Sequence, residues 1–245
     1  MRIRVPLTAG VVLLCCACTG PAAPTSSSSQ TQPTTLSTST VDVLQYVVGD
    51  AALWPRLGSH HQNQIVDPAR REVCWVKYGN PRRFECWRWD DRSMYHMIDH
   101  ALDGDSPESY HFTDGRWLPR FLPLNASAVA PWTLDVAQNH LVWFDASCNV
   151  DPAKSHTFPY RLRAWFEARR DAGTDLGSRE TLVFEYEPYN PDAPGFQTFP
   201  EQFYFGRAAG WYEWHRSGFR DFFNRLGGPS TQMDRGVWCA GANPS

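Results

Sequence analysis

From Val41 onward the chain advances in short apolar and aromatic runs, each closed by Gly, Pro, Asn or Asp. Runs of this length and punctuation are strands, and their even spacing is that of a sandwich or barrel. Residues 73–78 and 82–90 flank Gly79-Asn80-Pro81, and residues 201–205 and 211–215 flank the segment from Gly206 to Gly210. Residues 160–167 and 181–187 flank a polar loop with Gly173 and Gly177, and residues 132–136 and 140–144 flank Ala137-Gln138-Asn139. Two segments depart from this pattern. Val43, Leu44, Val47 and Val48 line one side of a short helix ending near Gly49. Phe219, Phe222, Phe223 and Leu226 stand at helical spacing, with Ser217 to cap the start and Gly227 the end. The reading is an all-β fold, an antiparallel β-sandwich or jelly-roll-like domain with a short C-terminal helix. With 42% apolar and 20% charged residues, the chain has the chemistry of a globular domain, which excludes wholesale disorder and a polytopic membrane protein.

Ahead of this domain the composition changes. Arg2 and Arg4 precede an apolar stretch from Val5 to Leu14, too short to span a bilayer as a helix. It has the layout of a secretory signal. It ends in Leu13-Leu14-Cys15-Cys16-Ala17-Cys18, which resembles the lipobox of bacterial lipoprotein precursors. The resemblance covers the leader alone. It implies cleavage before Cys18, diacylation of that cysteine, and a partner in the lipid membrane on the far side of the cytoplasm. Two acyl chains suffice for stable anchoring, at about 0.8 kcal/mol per buried methylene. Residues 1–17 then form the signal peptide and residues 18–40 a Ser/Thr/Pro-rich tether without the apolar content to order itself. Residues 41–245 form one extracytoplasmic domain.

Four cysteines fall within that domain: Cys74, Cys86, Cys148 and Cys239. An even number in an exported chain reads as two disulfides. If Tyr78 closes against Arg82 in the first hairpin, Cys74 falls opposite Cys86, and Cys148 is left for Cys239. No C-x-x-C spacing points to zinc, and no metal or other cofactor is expected.

On that register Cys74, Val76, Tyr78, Phe84 and Cys86 share one face, expected to be the core. Trp75, Trp87 and Trp89 share the other with Lys77, Arg83 and Glu85. Indoles flanked by charged groups suit a sugar ring, so this face is the expected ligand platform. The functional expectation is an envelope protein that binds an extracellular or envelope ligand, carbohydrate first, with binding favoured over catalysis and the enzyme question open. An alternative is a glycoside hydrolase or polysaccharide lyase using Glu185 and Glu187, which share a strand face with their Cα atoms about 7 Å apart. Glu201 and Glu213 are a second acid pair. A third reading is a structural or assembly factor of the envelope. His96-Met97-Ile98-Asp99-His100 has the outline of the H-x-x-E-H inverzincin motif, but its flanks read as strand, on which His96 and His100 share a face. Asp99, Asp103, Asp105 and Glu108 surround Gly104 without an EF-hand frame. The chain lacks G-x-S-x-G, the P-loop and the dinucleotide fingerprint. A net charge of −3 gives no field to gather nucleic acid.

Overall fold

The computed structural model describes residues 39–50, 53–54, 60–100, 109–112, 116–145, 147–171, 175–188, 200–216, 218–224 and 232–235. They belong to one compact unit, Ser37–Ser245. The signal peptide, Cys18, nearly all of the tether, Cys239, Asp103, Asp105 and Glu108 lie outside the described residues.

The fold is all-β, as the strand punctuation predicts. In chain order the elements are β1 (Thr40–Asp42), α1 (Leu44–Val47), β2 (His60–Asp67), β3 (Glu72–Lys77) and β4 (Phe84–Trp89). Next come β5 (Ser93–His100), β6 (Ser109–Phe112), β7 (Arg116–Pro119), β8 (Phe121–Pro123) and β9 (Trp132–Phe144). The last are β10 (Val150–Asp171), β11 (Ser178–Pro188), β12 (Glu201–Gly206), β13 (Gly210–Arg216) and β14 (Phe219–Asn224). The large sheet runs β4-β3-β2-β14-β13-β12-β11-β10-β9-β6-β5-β7, and β4 also pairs with β5. That last pairing closes the sheet on itself, with β7 hung beside β6 on the far edge of β5. Closure removes the open edges that a strand-rich chain must otherwise protect. Neighbours in the ring are antiparallel except β14 and β2, which pair in parallel through Phe223↔His60 and Asn224↔His61.

Two expectations are corrected here. Residues 219–224 are a strand and not a helix: Arg220 pairs with His215 and Phe222 with Glu213. The unpaired backbone of β13 and the need to reach β2 outweigh the helical spacing of the phenylalanines. Residues 137–139 form no turn, since β9 runs unbroken from Trp132 to Phe144.

The hairpin register is the expected one, with Cys74 opposite Cys86 and a disulfide joining them. Cys148 is also disulfide-bonded, to a partner outside the described residues. The faces of the hairpin, however, are reversed. Trp75 and Trp87 are 1% and 0% exposed and sit at the centre of the main core. Their rings touch residues of strands remote in the sheet: Trp75 lies 5.4 Å from Trp211, and Trp87 lies 6.0 Å from Phe184 and 5.4 Å from Phe205. These contacts cross the inside of the ring. Cys74, Val76, Phe84 and Cys86 form a separate small cluster on the outer face. Indoles carry the larger apolar area, so the wider interior takes them and leaves the smaller side chains outside.

The short helix α1 forms where predicted and seals one end. Val43, Tyr46 and Val47 join the main core, and the Ala208 amide in the β12–β13 turn donates to the Gln45 carbonyl at 2.7 Å. Gln64 of β2 holds Gly49 through both its amide and its carbonyl. A Cβ on Gly49 would stand 2.5 Å from the Ala209 carbonyl oxygen, so only glycine permits this approach. Gly49→Ala should therefore cost about 2 kcal/mol and lower Tm by roughly 5 °C. Thermal unfolding indistinguishable from wild type would show that the helix is not seated this closely.

Candidate functional site

Inside the ring a group of polar residues from β2, β4 and β5 interrupts the aromatic packing. β3 and β4 set Trp75 opposite Glu85, and β4 and β5 set Trp87 opposite His96. Gln62 and Gln64 of β2 share the face of Trp75. The Glu85 carboxylate accepts a hydrogen bond from Trp87 Nε1 at 2.7 Å and stands 3.3 Å from His96 Nε2. The side chains of Glu85 and His96 are only 13% and 4% exposed. Two atoms here are buried without a hydrogen-bond partner in the structure, the Trp75 Nε1 donor and the Gln62 Oε1 acceptor. Gln62 lies one inward-facing step further from α1 than Gln64. Gln62 and Glu85 are half-buried, whereas Trp75 and Trp87 below them are closed off.

A bulge builds this arrangement. Cys86 pairs with Ile98, but Trp87 pairs with His96, so β5 carries one extra residue at Met97. The shift brings His96 to the inner set. The backbone of His100 pairs with that of Phe84 on the far side of the bulge, so the even spacing of an unbroken strand does not carry from His96 to His100.

The expected glycan platform is thus not a surface. Trp75 and Trp87 lie inside, Trp89 is partly buried against the same core, and Glu85 belongs to the inner polar group. Arg83 is half-buried at the start of the hairpin's second arm, its carbonyl accepting from the Lys77 amide at 2.9 Å. Sequence reasoning missed His96 and Gln62 as members of the site. The signal for His96 was a bulge, which alternation alone does not reveal.

Glu185 and Glu187 lie on the outer face of β11, and one residue, Arg163 of β10, pairs with both at 3.2 Å and 3.0 Å. Glu185 also accepts from Gln202 at 2.7 Å. Arg163, Glu185, Gln202, His215 and Arg220 form a continuous row across five strands. Beside it, Glu213 is fully buried yet meets Arg170 at 3.0 Å, Arg220 at 2.5 Å and His215. Arg170 stacks on the Tyr204 ring at 4.0 Å. Glu201, the other member of the second acid pair, lies away from Glu213, on the inward side, where it accepts from Trp214 at 3.3 Å. The two do not face each other.

A 92-residue stretch of the chain is 29% identical to a formamidopyrimidine-DNA glycosylase of Sodalis glossinidius (strain morsitans), covering 36% of this chain and 32% of that protein. The chain thus matches about a third of the length of that relative. No known protein family matches the chain, and no solved structure does.

Two measurements check the outer network. Burial pushes the phenols of both Tyr204 and Tyr212 up to about 12. A raised phenol value means that the fold favours the neutral form. This contribution to stability is complete below about pH 10 and is lost as pH rises through 12. In a spectrophotometric titration two of the nine tyrosines should ionise only near pH 12; ionisation of all nine around pH 10 would contradict the packing. Glu213→Gln, which strips the shared carboxylate charge from two arginines, should cost about 3 kcal/mol in denaturant unfolding, and an unchanged midpoint would show the network to be idle.

Proposed function

We propose that this protein is a lipid-anchored component of a bacterial cell envelope whose barrel binds a carbohydrate at the inner polar group. The anchoring half of the reading rests on the lipobox-like leader with Cys18. Among the described residues no helix is long and apolar enough to cross a membrane.

The binding half rests on one observation: a buried donor, Trp75 Nε1, and a buried acceptor, Gln62 Oε1, stand on neighbouring strands without partners. Leaving such groups unmet costs about 1–3 kcal/mol each. A hydroxyl is both donor and acceptor, so a hydroxyl-rich ligand satisfies both sites. The Glu85 carboxylate supplies a further acceptor, and the indole rings supply flat apolar walls for the C–H faces of a sugar. Entry is from the side of Gln62 and Glu85, the half-buried members. The glycosylase likeness favours no rival reading, because a net charge of −3 provides no phosphate-gathering field.

Isothermal titration of the full chain against a panel of neutral mono- and oligosaccharides tests this. A binder is expected, and Trp75→Phe, which keeps the packing and removes the N–H, should weaken it about fivefold to tenfold, the worth of one hydrogen bond. A panel without a binder, or a Trp75→Phe protein that binds as tightly as wild type, overturns the proposal.

A further inference from the structure

The disulfide of the first hairpin has unusual company on the outer face. Cys74 Sγ lies 3.5 Å from Glu72 Oε1, and Cys86 Sγ lies 3.5 Å from the sulfur of Met233. One ligand atom each from Glu72, Cys74 and Cys86 fall within 4.8 Å of one another, and all three residues are buried. Met233 arrives on the segment 232–235, which is tied down by the two residues after it: the Asp234 amide donates to the Pro81 carbonyl at 2.8 Å, and Arg235 pairs with Glu72. Arg88 holds the other Glu72 oxygen at 3.1 Å.

We propose that, once a dithiol reductant opens this disulfide, Cys74, Cys86 and Met233 bind one copper(I) ion. The reductant's two thiols become its disulfide, and its two electrons and two protons convert the Cys74–Cys86 bond into two thiols. Copper(I) then displaces both thiol protons to solvent and forms two copper–thiolate bonds, with the thioether as third ligand. No electron passes to or from the metal.

Three physical features select this ion. The donors are sulfurs, and thiolate with thioether is the soft set that favours copper(I) over magnesium, calcium or manganese. Rotation of the two cysteine side chains is enough to place the sulfurs about 2.3 Å from a shared metal, with Met233 already against Cys86. Charge decides between copper(I) and zinc. Two thiolates around a monovalent ion carry one negative charge. With Glu72 they balance Arg88 and Arg235, its two cationic partners here. A divalent ion leaves an excess positive charge in a buried place, which is costly.

The full chain, reduced with dithiothreitol and desalted without air, is titrated against the copper(I)–bathocuproine complex, whose colour reports the metal lost to the protein. Reduced wild type should take one copper(I) more than the reduced double variant Cys74→Ser/Cys86→Ser, which retains Cys148 and every other cysteine. The oxidised protein should lack that same equivalent. Met233→Leu changes only the overlying segment and should weaken the site about tenfold. X-ray absorption of the loaded wild type should show three sulfurs at about 2.3 Å, a readout that does not depend on either variant folding. Equal uptake by wild type and the double variant, a sulfur count of two, an undiminished affinity in Met233→Leu, or loss of near-ultraviolet circular dichroism on reduction overturns the proposal.

Discussion

When a sheet pairs its terminal strands with each other it acquires an inside and an outside, and here the contact that does so is β4 against β5. From that point the two-residue alternation assigns each side chain of the ring to one of two very different media. Inward positions on β3, β4, β11, β12 and β13 hold Trp75, Trp87, Phe184, Phe203, Phe205 and Trp211, which meet across the middle. One end of the ring is stopped by α1, whose approach depends on Gly49. Wherever a strand changes register the assignment changes with it. The bulge at Met97 is the consequential case, because it moves His96 from the outer set to a place beside Trp87 and Glu85.

The outer face is not simply solvated. Across β10 to β13 it carries Trp165, Val183, Tyr204 and Tyr212 as a second apolar cluster, and among them the fully buried carboxylate of Glu213. A charge so placed is tolerable only when its partners are close and numerous, and Arg170, Arg220 and His215 meet that condition. The same burial keeps both tyrosine hydroxyls neutral far above their ordinary range. The network thus holds strands together on the face that the interior cannot reach, and Arg163 continues it through Glu185 and Glu187. One guanidinium thus bridges both carboxylates and ties β10 to β11 on this face.

Much of the fold was legible because strand runs and their turns are local. The β3–β4 register followed from the length of the Gly79-Asn80-Pro81 turn, and with it the Cys74–Cys86 bridge. The inward face was not legible from the hairpin alone. Both of its faces are apolar enough to be a core, and only the closure of the ring, a contact between distant segments, chooses the face with the indoles. The strand at Phe219–Asn224 escaped for a related reason. Its phenylalanine spacing fits a helix, yet β13 on one side and β2 on the other each need a partner, and those demands are not local to the segment. Of the inner site, Trp75, Trp87 and Glu85 were visible as a face with the wrong address. Gln62 was invisible because its significance lies in an unmet oxygen, which no residue pattern displays.

The inner polar group is best understood through what it costs. A core of this kind would be simpler with phenylalanine at position 75, which keeps a ring in place and has no N–H to satisfy. The unmet Trp75 donor and Gln62 acceptor together forgo about 2–6 kcal/mol, a large share of the 5–15 kcal/mol by which a typical domain exceeds its unfolded state. Other buried polar atoms are met: the Tyr212 hydroxyl by Thr181, the Trp211 N–H by the Glu213 carbonyl, and, within the inner group itself, the Trp87 N–H by Glu85. Here an unmet donor and an unmet acceptor instead stand on neighbouring strands, beside the half-buried Glu85 and the buried His96, and such a pairing is where a fold gives up stability for a ligand. The half-buried rim at Gln62 and Glu85 gives such a ligand its way in, while the closed aromatic floor beneath fixes how deep it can go.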